Sequence, residues 1–180
     1  RAHPLEQIGQ DGMAVVPTTY LGPLSWYRQL PATVEVNETF EKQTFRNRCL
    51  LRNNIRLTVP VCKVESKQLT RDIQISYQQR WQHQHWMAIR STYEHTPYFL
   101  YYEDYLRPFY ERETKYLIDL NSALTETIWA LLHNLQPTTC NLLPVTSTWS
   151  GQTWTDRHPW QNEKSILDTL FELGPETLIK

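Results

Sequence analysis

The chain has 180 residues, 40% of them hydrophobic and 21% charged, with a formal net charge of −1. A chain of this length folds as one domain and buries roughly 70% of its unfolded surface, so it needs no disulfide or metal to stay folded. Near-neutral charge excludes a continuous basic surface, and no nucleic-acid partner is expected.

Three cysteines, Cys49, Cys62 and Cys140, are widely spaced and form no CxxC pair. They read as reduced, mostly buried thiols, and neither a metal nor a cofactor is expected. No apolar run approaches the ~18 residues that a membrane helix needs. The opening RAHPLEQIGQDG has no apolar centre of the kind a signal peptide carries. Residues 1–12 therefore read as a loose leader, residues 13–180 as one domain, and the location as cytoplasmic.

Taken in order, MAVVP at 13–17 is a short buried strand. Pro23 opens a short helix over 24–30, which Pro31 stops. The β-branched run at 34–37 is a second strand, so the three pieces form a parallel strand-helix-strand unit. Residues 45–52 and 55–61 read as a hairpin turned at Asn53-Asn54, because Asn tolerates positive φ. Pro60 places the second strand at an edge or bulge. A further short strand is expected at 73–76.

From Gln78 onward the period becomes helical. Trp81, His85, Ile89 and Tyr93 recur every four residues, and Pro97 starts an aromatic helix with Tyr98, Tyr101, Tyr105 and Phe109 on one face. Leu117, Leu120, Leu124, Ile128, Leu131 and Leu135 give the clearest helix in the chain. A late strand at 142–146 and a long Trp-, His- and Pro-rich loop at 148–164 follow. Ser165 and Asp168 then cap a last helix, which Gly174-Pro175 ends. The expected fold is mixed α/β or α+β: a central mixed sheet, a strand-helix-strand start, a β-hairpin and a mainly helical second half.

Compact catalytic signatures are missing. There is no GxxxxGK[ST], GxGxxG, HExxH or GxSxG, and five glycines give little material for a phosphate cradle. The most informative run is FEKQTFRNRC at 40–49. It sets Lys42, Gln43, Arg46, Asn47 and Arg48 within seven residues, the groups that hold a carboxylate or phosphate. On a strand at 45–52, Arg46 and Arg48 share one face, and Asn47 and Cys49 share the other. The plain alternative is a wet face whose arginines pair with acids such as Glu38 or Glu41. If the pair binds a ligand, replacing Arg46 or Arg48 weakens binding without unfolding the domain.

Other candidates are fewer. His85 is either a satisfied core histidine or a general base at a cleft rim. Tyr20, in the loop after the first strand, sits where open α/β sheets bind ligands. Asn121 borders the leucine stripe, and Cys49 reads as core. Trp149, Trp154 and Trp160 form either core packing or a sugar-stacking surface.

Four blocks carry a resemblance: VVPTTYLGPLSWY; FEKQTFRNRC with LTVPV; WQHQHWMAIRSTYEHTPYFLYYED; and SILDTLFELGPE. With them the chain resembles the WbqC-like family of bacteria from Val15 onward, whereas TDRHPWQNEKS departs from the family pattern. The resemblance implies a setting in O-antigen and other surface-polysaccharide synthesis. It adds weight to Lys42, Gln43, Arg46, Asn47 and Arg48 as substrate-binding residues. It also favours His85, in WxxxHW, over His83.

Two functions are expected. One is a transferase that moves a group onto an activated sugar, with the cationic strand holding a phosphate or carboxylate and His85 moving a proton. Its partner is a small molecule, a nucleotide sugar or a carboxylate donor. The other is a non-catalytic protein that binds an anionic ligand or acts as a scaffold. The sequence leaves the oligomeric state open.

Overall fold

The structure is a computed structural model that describes residues 13–137 and 143–179. The expected leader, residues 1–12, lies outside the described residues. Strand β1 (Val15–Pro17), helix α1 (Leu24–Tyr27) and strand β2 (Thr33–Glu35) form the opening unit, with β1 and β2 parallel. Gly22 is needed in the connecting loop, since a Cβ there would stand 2.5 Å from Thr19 Oγ1.

The hairpin also forms. Strand β3 (Arg48–Leu50) pairs antiparallel with β4 (Arg56–Thr58), and Asn53 and Asn54 turn the chain at φ 64° and 59°. Cys49 faces Leu57 on the buried side. Among the described residues the strands make two separate pairs rather than one continuous sheet. Single bridges extend them: Val145 joins Val34, Lys164 joins Leu50, and Ile75 joins Val61. The mixed α/β or α+β class holds. Of the late strand expected at 142–146, Val145 makes the bridge and Leu142 lies outside the described residues.

Helices α2 (Trp81–Tyr93), α3 (Phe99–Leu106), α4 (Leu117–Leu132) and α5 (Ile166–Leu173) build the second half. In α4 the expected stripe is buried from Leu117 to Leu131, while Leu135 falls past the helix end and is exposed. In α3 the buried face is Phe99, Tyr102 and Leu106, one residue on from the expected Tyr98, Tyr101 and Tyr105. The helix starts after Tyr98, whose N–H is held by Phe171 O, and this rotates Tyr101 to solvent.

Ser165 caps α5 by accepting from Leu167 N. Asp168 does not return to the cap; its carboxylate takes Arg52 Nε at 2.9 Å and Tyr93 Oη at 3.1 Å. One apolar core joins α2–α5 to both strand pairs. Among the described residues no helix is long and apolar enough to cross a membrane.

Candidate functional site

The informative run does not begin as a strand. Residues 42–47 fold into a tight turn, and β3 starts only at Arg48. Gln43 takes a left-handed φ of 60°, and its N–H donates to Asn47 Oδ1 at 2.8 Å. Asn47 N–H returns to Thr44 O at 3.0 Å. Asn47 Nδ2 donates to Val59 O and Val59 N–H to Asn47 O, which ties the turn to the segment after β4. Asn47 is thus buried and fully engaged in shaping the turn.

This turn drives Arg46 inward and separates it from Arg48. Arg46 is 1% exposed and forms a bidentate pair with Glu38, Nε to Oε2 at 2.8 Å and Nη2 to Oε1 at 2.7 Å. It also donates to Trp154 O and Thr44 Oγ1 and stacks over Phe45. The expected paired clamp of Arg46 and Arg48 on one strand face is therefore not formed. A fork buried without such partners would carry a prohibitive desolvation cost.

Beside this pair lies a cavity of about 350 Å³, lined by Asn37, Glu38, Glu41, Arg46, Trp149 and Trp154 among others. Burial pushes the Glu38 carboxyl up, against the pull of the Arg46 guanidinium; Glu35 and Glu41 add to the rise. A second buried carboxylate, Glu35, lies behind the lining and does not face the cavity. Glu35 Oε1 accepts from Ser150 N and Oγ, and its Oε2 accepts from Asn37 N and Thr146 Oγ1. Asn37 Nδ2 donates to Thr146 O at 3.0 Å. These bonds fix the start of the Trp-rich loop against β2. Of its tryptophans, Trp154 and Trp160 are buried, whereas Trp149 is 57% exposed beside the cavity.

The remaining sequence candidates lie elsewhere. His85 is 4% exposed, with both ring nitrogens bonded. Its Nε2 sits 3.0 Å from Thr58 O, which can only accept, so Nε2 carries the proton. Nδ1 then accepts from Tyr20 Oη at 2.8 Å, and Tyr20 Oη accepts from Tyr110 Oη at 2.7 Å. Burial pulls the His85 pKa down to about 4. Tyr20 is fully buried in the same chain of bonds, and burial raises its phenol. Neither residue lines the cavity.

Lys42 and Gln43 are exposed, and Gln43 O accepts from Gln161 Nε2. Arg48 is half-buried, with Nε on Thr58 Oγ1 at 3.0 Å. Cys49 is buried, and burial pushes its thiol up. Asn121 bonds Thr18 Oγ1 and Arg46 O, which supports the turn from below. Among the described residues no cluster of His, Cys, Asp and Glu could hold a metal.

Glu38, named as a pairing acid in the plain alternative, is the partner that Arg46 takes. Glu35, which the sequence reading did not name, stands in the β-branched run before Phe40 with no local signal of its role in holding the loop. No curated protein and no solved structure matches the chain. The sequence profile of the WbqC-like protein family matches residues 33–143, a span that holds the turn, Glu35, Glu38 and His85, and the chain belongs to that family.

Proposed function

We propose that the protein is an enzyme of bacterial surface-polysaccharide (O-antigen) synthesis that transfers a group to an activated sugar held in the Glu38–Trp149 cleft. The observation that carries this reading is Glu38 itself. It is a carboxylate with a burial-raised pKa, held rigid by a bidentate arginine, on the wall of a cavity flanked by tryptophan. A carboxyl raised by burial holds a proton more strongly than an exposed one, which suits it to act as a base. Each Glu38 oxygen uses one lone pair on Arg46 and keeps another for a substrate hydroxyl or amine.

The lining favours a neutral or amino-bearing group over an anion. Arg46 is neutralised by Glu38, and Glu41 adds a second negative charge. Trp149 offers an apolar face to a sugar ring, and Asn37 offers an amide to its hydroxyls. In an acyl or aminoacyl transfer, Glu38 takes the proton from the attacking hydroxyl or amine as its bond to the acyl carbon forms. The bond from that carbon to the donor's leaving group breaks, and the leaving group departs with the electron pair and takes the proton back from Glu38. Lys42, exposed next to the lining residue Glu41, would meet a charged part of the donor outside the cleft in this reading. His85 takes no part in the transfer in this reading: it lies outside the cleft lining and bonds Thr58 O and Tyr20 Oη within the core. An activated-sugar substrate implies a cytoplasmic site.

A second reading keeps the cleft and drops the chemistry, since Glu38 already accepts two bonds from Arg46. Calorimetric titration with nucleotide sugars, amino acids and acyl donors, followed by turnover assays on any that bind, separates the two. Trp149→Ala should weaken binding and leave the melting temperature unchanged. Glu38→Gln, assayed well below its melting temperature, should keep binding and lose turnover. Binding that Trp149→Ala leaves intact would place the ligand elsewhere. Binding without turnover in the wild type would favour the non-catalytic reading.

A further inference from the structure

The β3–β4 register creates a second surface feature, separate from the cleft. Arg48 pairs with Thr58 and Leu50 with Arg56, so all four side chains share the face opposite Cys49 and Leu57. Arg48 and Arg56 are diagonal neighbours on that face, roughly 7–8 Å apart at their backbones. Lys164, the parallel bridge partner of Leu50 on the other edge of β3, lies on the same side. Three cations thus converge on one small surface.

None has a carboxylate within ion-pair distance among the described residues. The two arginines are nonetheless held in place by neutral acceptors. Arg48 Nε donates to Thr58 Oγ1; Arg56 Nη1 donates to Gln161 O at 3.0 Å and Nη2 to Asn162 Oδ1 at 3.2 Å. The Arg48 Nη atoms have no acceptor in the described chain. Contrast Arg46 and Arg52, both of which carry carboxylate partners. Like charges on adjacent strands repel, and the Arg56 charge adds to burial in lowering the Arg48 pKa. Fixed, uncompensated guanidinium forks are what a tetrahedral dianion needs.

We infer that the face bearing Arg48, Arg56 and Lys164 binds a phosphate dianion, either free or as the phosphoryl group of a small metabolite. The site shares no residue with the cleft lining and does not depend on what the cleft binds.

The test uses the full chain at pH 7, titrated with potassium phosphate against potassium chloride of equal ionic strength, with melting temperature as the readout. Phosphate should raise the wild-type melting temperature above the chloride curve, as a ligand of the folded state does. Arg48→Gln and Arg56→Gln should each weaken the apparent phosphate affinity about tenfold or more, the worth of a charge-assisted hydrogen bond. In chloride both variants should melt within a few degrees of wild type, because the repulsion each relieves offsets the hydrogen bonds it loses. Arg112→Gln should respond as wild type. A parallel titration with glucose 1-phosphate distinguishes sources: a tighter response assigns the site to a phosphorylated metabolite, an equal one to the free ion. Coincident phosphate and chloride curves, or a phosphate response that survives both Arg48→Gln and Arg56→Gln, would overturn the inference.

Discussion

Lowering the pH should destabilise the fold through His85, and by a predictable amount. In the unfolded chain His85 takes up a proton near its ordinary value of 6.5; in the folded protein burial delays that to about 4. Its contribution to stability is therefore full above about pH 6.5, declines as pH falls, and is lost by about pH 4. The interval between the two values, at 1.36 kcal/mol for each tenfold change in proton affinity, amounts to about 3 kcal/mol. Protonation would also turn Nδ1 into a donor facing Tyr20 Oη, forcing the Tyr20–Tyr110 bonds to reverse.

Two other groups shift in the same pH range. Burial lowers His158, which adds to the loss, and burial raises Glu38, which opposes it. Comparing wild type with His85→Gln cancels both. The assay is urea unfolding followed by tryptophan fluorescence between pH 7.5 and 4. The difference in unfolding free energy between the two proteins should shrink by about 3 kcal/mol across that range. Parallel curves would refute the buried, neutral assignment of His85.

Three further outcomes follow from the packing. Arg46→Ala should cost about 3–5 kcal/mol in chemical unfolding, because it leaves the Glu38 charge buried and alone. This reverses the expectation from strand alternation that Arg46 could be removed without harm to the fold. A thiol reagent with peptide mapping should label exposed Cys62 at once and Cys49 only on unfolding. Gly174→Ala should destabilise by about 1–3 kcal/mol in thermal melts, since the residue holds a left-handed conformation. Its new Cβ would also stand 2.6 Å from the Tyr98 ring.

Elements set by local chemistry were legible in the sequence. The α4 leucine stripe, the Asn53-Asn54 turn and the Ser165 cap each rest on contacts within a few residues. The family blocks drew attention to the stretch that folds into the Arg46 turn. What strand alternation could not show is that residue 43 takes positive φ, which ends any strand before Arg48 and turns Arg46 inward. Arg46 finds its acid eight residues upstream and a carbonyl 108 residues downstream. The pairing with Glu38 was open to a sequence reading as the plain alternative, though on a wet face rather than buried; no local pattern records the contact with Trp154 O. Glu35 is similar, with its partners Thr146 and Ser150 more than a hundred residues away. In α3 the run of aromatics left several possible faces, and the Tyr98–Phe171 backbone bond selected one.

The most direct test of the proposed cleft is hydrogen exchange with and without a saturating nucleotide sugar or acyl donor found by calorimetry. The account predicts slowed exchange at residues 37–41 and 149–155, with helix α2 around His85 unchanged. Protection centred on α2, with the Glu38–Trp149 cleft unaffected, would contradict it.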